Sequence, residues 1–290
     1  MKIRKKQNLT GWLFLAPAVI MIIFMAFIPA FRALYNSFQT GPGSNLTWAG
    51  FLNFTRIPRD RAFLQALQNT FFYLIIQVPI MLILGLILAS MLNNPKLKFR
   101  GLFRTAIFLP SATALVAYSI IFRSLFATGG FINSLLINIG ILESNFNFLA
   151  SPLGARIIII IALIWRWTGY NMVFYLAGLQ NIDYAMFEAA KIDGANVVQT
   201  FFKITIPQLK PVILMTAIMS TNGTLQLFDE SVNLTNGGPG NSSITVAHHI
   251  FNQSFSGVPN FGYASALSFV ILMIVAILAL VQMKVGDKRD

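Results

Sequence analysis

Cysteine is absent from this chain of 290 residues, and carboxylates are scarce, nine against 21 lysines and arginines. The first absence excludes disulfides and thiolate metal sites and leaves the redox compartment open. There is also no GxxxxGK[ST] run, so the chain carries no loop of that kind to cradle ATP phosphates. No tandem repeat or low-complexity tract is present. Charged residues of both signs make up only 10% of the chain, while 56% is hydrophobic. A soluble domain of this size would expose too much of that apolar surface to water; a bilayer accommodates it. The formal net charge of +12 raises the question of nucleic acid. However, the basic residues sit at the ends of apolar runs and do not gather on one face with aromatics between them, which excludes that partner.

What is present is six apolar runs, at approximately 12–34, 69–92, 105–127, 155–178, 211–229 and 262–283. Each is long enough to cross roughly 30 Å of hydrocarbon at about 1.5 Å per residue. A backbone in lipid must satisfy its own hydrogen bonds, so the reading is an all-α integral membrane protein with six transmembrane helices. The first run exceeds the 7–15 residues of a signal-peptide core and is read as a retained span. With the first end of the chain in the cytoplasm, 14 lysines and arginines fall in inner segments and six in outer loops or span ends. That asymmetry places both termini in the cytoplasm. The organisation expected is an inner segment over 1–11, a six-span domain over 12–283 with an inner loop at 180–210, and an inner tail over 284–290. The first outer loop, with Arg56, Arg59 and Arg61, runs against this orientation.

Several connections have a shape of their own. Ile132, Leu135, Leu136 and Ile139 recur at helical spacing, which predicts a short surface helix over 130–142. Asn94-Pro95 with four basic residues marks an inner elbow over 93–104. Thr-Asn-Gly-Gly-Pro-Gly-Asn-Ser-Ser at 235–243 is an irregular outer turn. Polar groups inside spans are costly and face a partner or a wet path. Span four carries Trp165, Arg166, Trp167, Tyr170 and Asn171; span five carries Asn222, Thr224 and Gln226, with Phe228 and Asp229 nearer the outer face. Aromatic faces beside amides and hydroxyls suit a sugar, so these residues, Arg166 and Asp229 apart, form the candidate solute path. Packing between helices and interhelical hydrogen bonds are the alternative for the same residues. For Arg166, pairing or snorkelling is preferred over recognition of an anion. His248 and His249 are adjacent and point to different sides of a helix, so they are read as a loop pair and no metal site is expected.

The inner segment 180–210 is too organised for a linker. Glu188-Ala189-Ala190-Lys191 favours helix, and Gly194 is placed to take a left-handed cap before Ala195. Val197, Val198, Phe201 and Phe202 then form an apolar stripe, and Pro207 and Pro211 are expected to end the second helix and launch span five. The run Glu188–Pro211 reads EAAKIDGANVVQTFFKITIPQLKP. It resembles the EAA motif of binding-protein-dependent ABC importer permeases, departing only at Ile206, where leucine is usual. The stretches 48–54, 163–182, 227–243 and 261–268 resemble sugar-type permeases of the maltose and glycerol-phosphate kind, in particular the first of their paired subunits. Asp183-Tyr184 departs from a proline common after Ile182.

The resemblance implies a type I importer permease architecture in which the knuckle is a coupling helix docked on a separate ATPase. Glu188, Ala189, Ala190, Asp193, Gly194, Ala195, Phe201 and Pro207 would carry that coupling. It further implies a second, homologous permease subunit, two ATPase subunits or a homodimer of one, and an extracytoplasmic solute-binding protein. ATP and Mg2+ would sit on the ATPase, with no cofactor on this chain, in a cytoplasmic membrane. Other solutes, such as a glycerol-phosphate or a compatible solute, and secondary transport are the rival readings.

Overall fold

The structure, a computed structural model, describes residues 2–286, with side-chain surroundings from Gly11 onward except that of Tyr184. Met1 and residues 287–290 of the expected tail lie outside the described residues. In chain order, α1 (Lys2–Ile22) passes through a π-turn (Ile23–Phe27) into α2 (Ile28–Ser37). A small antiparallel ribbon follows, β1 (Gln39–Thr40) with β2 (Thr47–Trp48), in the register Gln39 to Trp48 and Thr40 to Thr47. Next come α3 (Leu52–Arg56), α4 (Arg61–Leu92), α5 (Arg100–Ala112), α6 (Leu115–Leu125), α7 (Phe131–Asn138) and α8 (Pro152–Gln180). Helices α9 (Tyr184–Ile192) and α10 (Val197–Thr200) lead through a second π-turn (Phe201–Thr205) into α11 (Ile206–Leu225). A third π-turn (Ser231–Thr235), α12 (Val246–Phe255) and α13 (Phe261–Gly286) complete the described chain.

Five of these helical stretches are long and apolar enough to cross a membrane: 11–37, α4, α8, 197–225 and α13. The run expected as the third span is not one straight helix. It is broken between α5 and α6, which meet at 98° and make a sixth span only if counted together. Pro110 lies in the last turn of α5, and Thr113 and Ala114 are extended, so the helical hydrogen-bond ladder stops there. The fifth span, expected over 211–229, starts earlier, at Val197, and ends at Leu225.

Prolines act differently from the expectation that Pro207 and Pro211 end a helix. Pro207 directly follows the second π-turn and Pro211 lies inside α11, so the helix runs on past both. The same pairing occurs at Pro29, just past the first π-turn. A proline lacks an N–H, and its ring crowds the carbonyl four residues earlier, here Met25 or Lys203. A wider π-turn over that carbonyl lets the helix continue.

The chain divides into two compact units, residues 1–60 with 250–272, and residues 61–249 with 273–290. In the first, Asn53 is buried and its amide donates to the carbonyls of Ser37 (2.9 Å) and Gln39 (2.7 Å), which ties α3 to the start of the ribbon. A Cβ on Gly262 would collide with the Gln39 carbonyl, so only glycine allows α13 to approach there. In the second unit, α4, α5 and α8 pack around Tyr73, Tyr118, Phe122, Ile158, Ile159 and Leu163 on one side and Leu86, Met172, Tyr175, Leu176 and Leu209 on the other. The Tyr175 hydroxyl meets Thr216 Oγ1 at 2.8 Å, joining α8 to α11 within that core.

Candidate functional site

The second unit contains a cavity of about 330 Å3. Helix α4 contributes Gln77 and Met81, α8 contributes Leu163, Arg166, Trp167, Tyr170 and Asn171, and α11 contributes Met219, Ser220, Gly223 and Thr224. The segment Gln226–Glu230 closes it where α11 has ended. That end is built by Gln226, whose N–H bonds the Asn222 carbonyl at 3.2 Å while its backbone leaves the helical region. Helices α4 and α8 approach closely because Gly85 has no side chain: a Cβ there would stand 3.3 Å from Asn171 Cβ and from backbone atoms of Thr168 and Met172.

The polar wall is partly self-satisfied. Thr224 Oγ1 donates to Gln77 Oε1 at 3.1 Å, bridging α11 and α4. Asn171 Nδ2 donates to the Trp167 carbonyl at 3.0 Å, and Trp167 meets Tyr170 edge to face with ring centroids 5.6 Å apart. The guanidinium of Arg166 lies 4.7 Å from the ring centroid of Tyr118 and 5.3 Å from that of Trp167. Its Nε and Nη1 are buried with no hydrogen-bond partner. Glu230 is buried on the same wall; burial raises its carboxyl above the usual range, an effect that Tyr118 and Arg166 oppose. The cavity thus combines three aromatic rings, Trp167, Tyr170 and Phe228, with amides, hydroxyls and one cationic group with donors to spare, next to carboxylates. Such a lining can hydrogen-bond hydroxyls and stack the C–H faces of a solute.

Of the residues predicted for the path, Trp167, Tyr170, Asn171, Thr224, Gln226 and Phe228 come together here. Trp165 and Asn222 do not. Trp165 is 43% exposed and packs on Phe122, 5.4 Å between ring centroids. Asn222 is exposed and accepts from Gln226 Nε2 at 2.6 Å. The sequence reading missed Gln77, Met81, Met219 and Ser220 as lining residues. The signal available for Gln77 was an amide set in the apolar part of α4 that follows Asn69, two residues before Pro79.

The 180–210 segment folds as two helices meeting at Gly194, as expected. Gly194 has φ +76°. Its N–H donates to the Lys191 carbonyl at 3.2 Å and that of Ala195 to the Ala190 carbonyl at 2.9 Å, a Schellman cap. Asp183 starts α9 by accepting from the Ala185 N–H at 3.0 Å, so the aspartate in place of proline is a helix cap. Asn196 and Gln199 form a capping box at the start of α10. Glu188, Ala189, Asp193 and Pro207 are exposed, Ala195 and Phe201 half-buried and Ala190 buried. Around the turn Ile192 (85%), Val197 (86%) and Phe202 (62%) are open to the surroundings, an apolar tip that also carries the exposed carboxylates of Glu188 and Asp193.

The turn at 235–243 places Asn236, Gly237, Gly240 and Asn241 at positive φ. His248 and His249 are not a loop pair: both lie in α12 and are buried. His248 Nδ1 meets Ser231 Oγ at 2.9 Å, and the ring stands edge-on to Phe228 at 6.0 Å. Burial and the neighbouring His249 lower its pKa. Among the described residues no three His, Cys, Asp or Glu side chains converge on one point.

A polar-lined cavity among helices of membrane-crossing length, with a helical knuckle between two of them, defines a multi-pass membrane permease. The chain belongs to the family of binding-protein-dependent transport system inner membrane components, whose model matches residues 81–285. It is 50% identical over 289 residues to the lactose transport system permease protein LacF of Rhizobium radiobacter, covering 99% of this chain and 97% of that one. Identity to the arabinooligosaccharides transport system permease protein AraP of Bacillus subtilis is 32% over 278 residues, covering 95% and 88%. The fold matches a bacterial ABC transporter involved in the import of the acidic polysaccharide alginate, with TM-score 0.86, 22% identity and coverage of 99% and 98%. As a permease component, the chain is not itself a catalytic enzyme.

Proposed function

We propose that this chain is the transmembrane subunit of an ATP-binding-cassette importer that translocates a sugar or oligosaccharide by alternating access. The observation that carries the reading is the 50% identity, over nearly the whole of both chains, to a lactose permease. The cavity agrees in kind, since Trp167 and Tyr170 offer stacking faces while Asn171, Thr224 and Gln226 offer hydrogen bonds. On this reading the solute arrives from an extracytoplasmic binding protein and passes through that cavity, with both chain termini in the cytoplasm. The knuckle at 183–200 docks on an ATPase subunit that holds ATP and Mg2+, and a second, homologous permease completes the membrane pathway. Glu188 supplies the ion pair, Gly194 the turn, and the exposed Ile192, Val197 and Phe202 the apolar contact. ATP-driven closure of the ATPase pair then rocks the helices around the cavity.

The test is ATP hydrolysis in proteoliposomes holding this chain with its permease and ATPase partners, with and without binding protein and a panel of sugars. Hydrolysis that rises only with one sugar-loaded binding protein, and falls with Glu188→Ala, is the expected result. Truncating one partner of a buried interfacial charge pair costs about 2–5 kcal/mol. Solute flux indifferent to ATP would overturn the proposal.

A further inference from the structure

The first unit carries a feature that solute passage does not use. At the end of the 11–37 span, Tyr35, Phe38, Trp48, Phe51 and Phe54 form a chain of ring contacts with centroids 5.3–6.0 Å apart. Far from being a core, this cluster shows its rings: Tyr35 is 58% exposed, Trp48 65% and Phe51 70%, with Leu52 beside them at 57%. Three arginines flank it along the chain. Arg32 lies three residues before Tyr35 on α2, hence on the same helix face, and Arg56 and Arg59 end the two short helical turns after Phe51; all three are exposed. Asp60 is the sole carboxylate in this unit, and it is engaged, accepting from the Tyr263 hydroxyl at 2.6 Å.

Two physical facts identify what fits here. Exposed Trp and Tyr rings at the end of a span sit at headgroup depth, where the ring is apolar and its edge is wet. Arg32 belongs to a span whose most apolar window has no buried residue, about 7 Å from its end at Ser37. A guanidinium at that depth must reach an anion at the interface, and among the described residues of this unit the sole carboxylate is the engaged Asp60. Arginine's planar fork matches phosphate oxygens two at a time.

We infer that Arg32, Arg56 and Arg59, with the Tyr35–Trp48–Phe51 platform, bind the headgroup of an anionic phospholipid at the end of the first span. The same site accounts for the arginines that stand against the orientation count in this loop: their charges are met by lipid phosphate. The inference does not rest on the identity of the transported solute.

The experiment is native mass spectrometry of the full chain in its purified transporter complex, titrated with phosphatidylglycerol and with phosphatidylcholine of the same acyl chains. Wild type should prefer phosphatidylglycerol, with a preference that weakens in high salt. Arg32→Gln with Arg59→Gln should lower that preference about 25-fold, at about fivefold for each guanidinium. These two side chains are exposed, so the double variant tests binding even if Arg56→Gln, which removes a cation from the Tyr263 ring at 4.3 Å, fails to fold. Lysine at both positions should restore part of the preference. Equal affinity for the two lipids in wild type, or an unchanged preference in the double variant, would overturn the inference. So would a photo-crosslinking residue at position 51 that captures a protein partner instead of lipid.

Discussion

Replacing Gly194 tests the knuckle with the fewest side effects. An added Cβ meets nothing within 4 Å, so the substitution creates no clash and its cost is confined to the backbone. At φ +76° that cost is about 1–2 kcal/mol for a residue with a Cβ. A penalty of this size changes the ratio of formed to unformed turn by a factor of about 5–30. The two hydrogen bonds it threatens, Gly194 to Lys191 and Ala195 to Ala190, hold α9 and α10 in register, so the fraction of chains able to dock falls with the turn. Asparagine tolerates the left-handed region better than alanine or valine. Binding-protein-stimulated ATP hydrolysis in proteoliposomes should therefore rank wild type, Gly194→Asn, Gly194→Ala and Gly194→Val in falling order. Thermal unfolding of the four complexes should stay nearly constant, because Gly194 itself is exposed and an added Cβ touches nothing. Equal stimulation in all four, or a loss that follows melting temperature and not backbone preference, would refute the reasoning.

Other positions give separate outcomes. A Cβ on Gly169 would run into the Ile107 carbonyl, so Gly169→Ala forces α5 off α8 and should cost about 1–3 kcal/mol, read as a lower melting temperature. Gly223 also lines the cavity, yet its Cβ would meet nothing; Gly223→Ala should melt like wild type. Thr224→Val leaves Gln77 Oε1 without its donor and should cost about 1–3 kcal/mol, while Thr224→Ser should keep the bond and the melting temperature. His248 has a folded pKa below its usual 6.5, so it contributes stability above that value which is lost as pH falls through the folded pKa. Melting temperature should drop on acidification below pH 6.5, and His248→Gln should flatten that slope.

The helical spans were legible because hydrocarbon imposes length and composition together, and only the third run concealed its break. Pro110 was visible, but nothing in the residues says that a membrane proline will bend one helix and pass unnoticed in another; Pro79 and Pro211 lie in helices that continue. The π-turns have no residue signature of their own; two of the three precede a proline, at Pro29 and Pro207, and the third does not lead into a helix. In the cavity, Trp167 and Asn171 were found because four residues apart they share one face of α8. Trp165 was included although two residues from Trp167 places it about 200° around the helix, and the structure puts it on the other side against Phe122. Gln77 comes from a helix distant in sequence, and only packing brings it to Thr224. The buried setting of His248 likewise depends on contacts with Ser231 and Phe228 that adjacent histidines do not announce.

One continuous element connects the two halves of the proposed mechanism. From Val197, just past the Gly194 turn, the helix runs to Leu225, 29 residues and about 44 Å, and the side chains of its last turns line the cavity. A displacement of α9 and α10 is therefore delivered to Ser220, Gly223 and Thr224 without crossing a loop. Near the knuckle the π-turn at 201–205 interrupts the α-helical hydrogen-bond ladder along that path. At the far end Thr224 is tied to Gln77, so motion of α11 must either carry α4 with it or break that bond. Gly85 keeps α4 against α8, with backbone atoms of Thr168 and Met172 too close to admit a larger residue without adjustment. On the proposed mechanism, the helix that leads from the knuckle is therefore also the one that would carry Ser220, Gly223 and Thr224 relative to the α4–α8 pair.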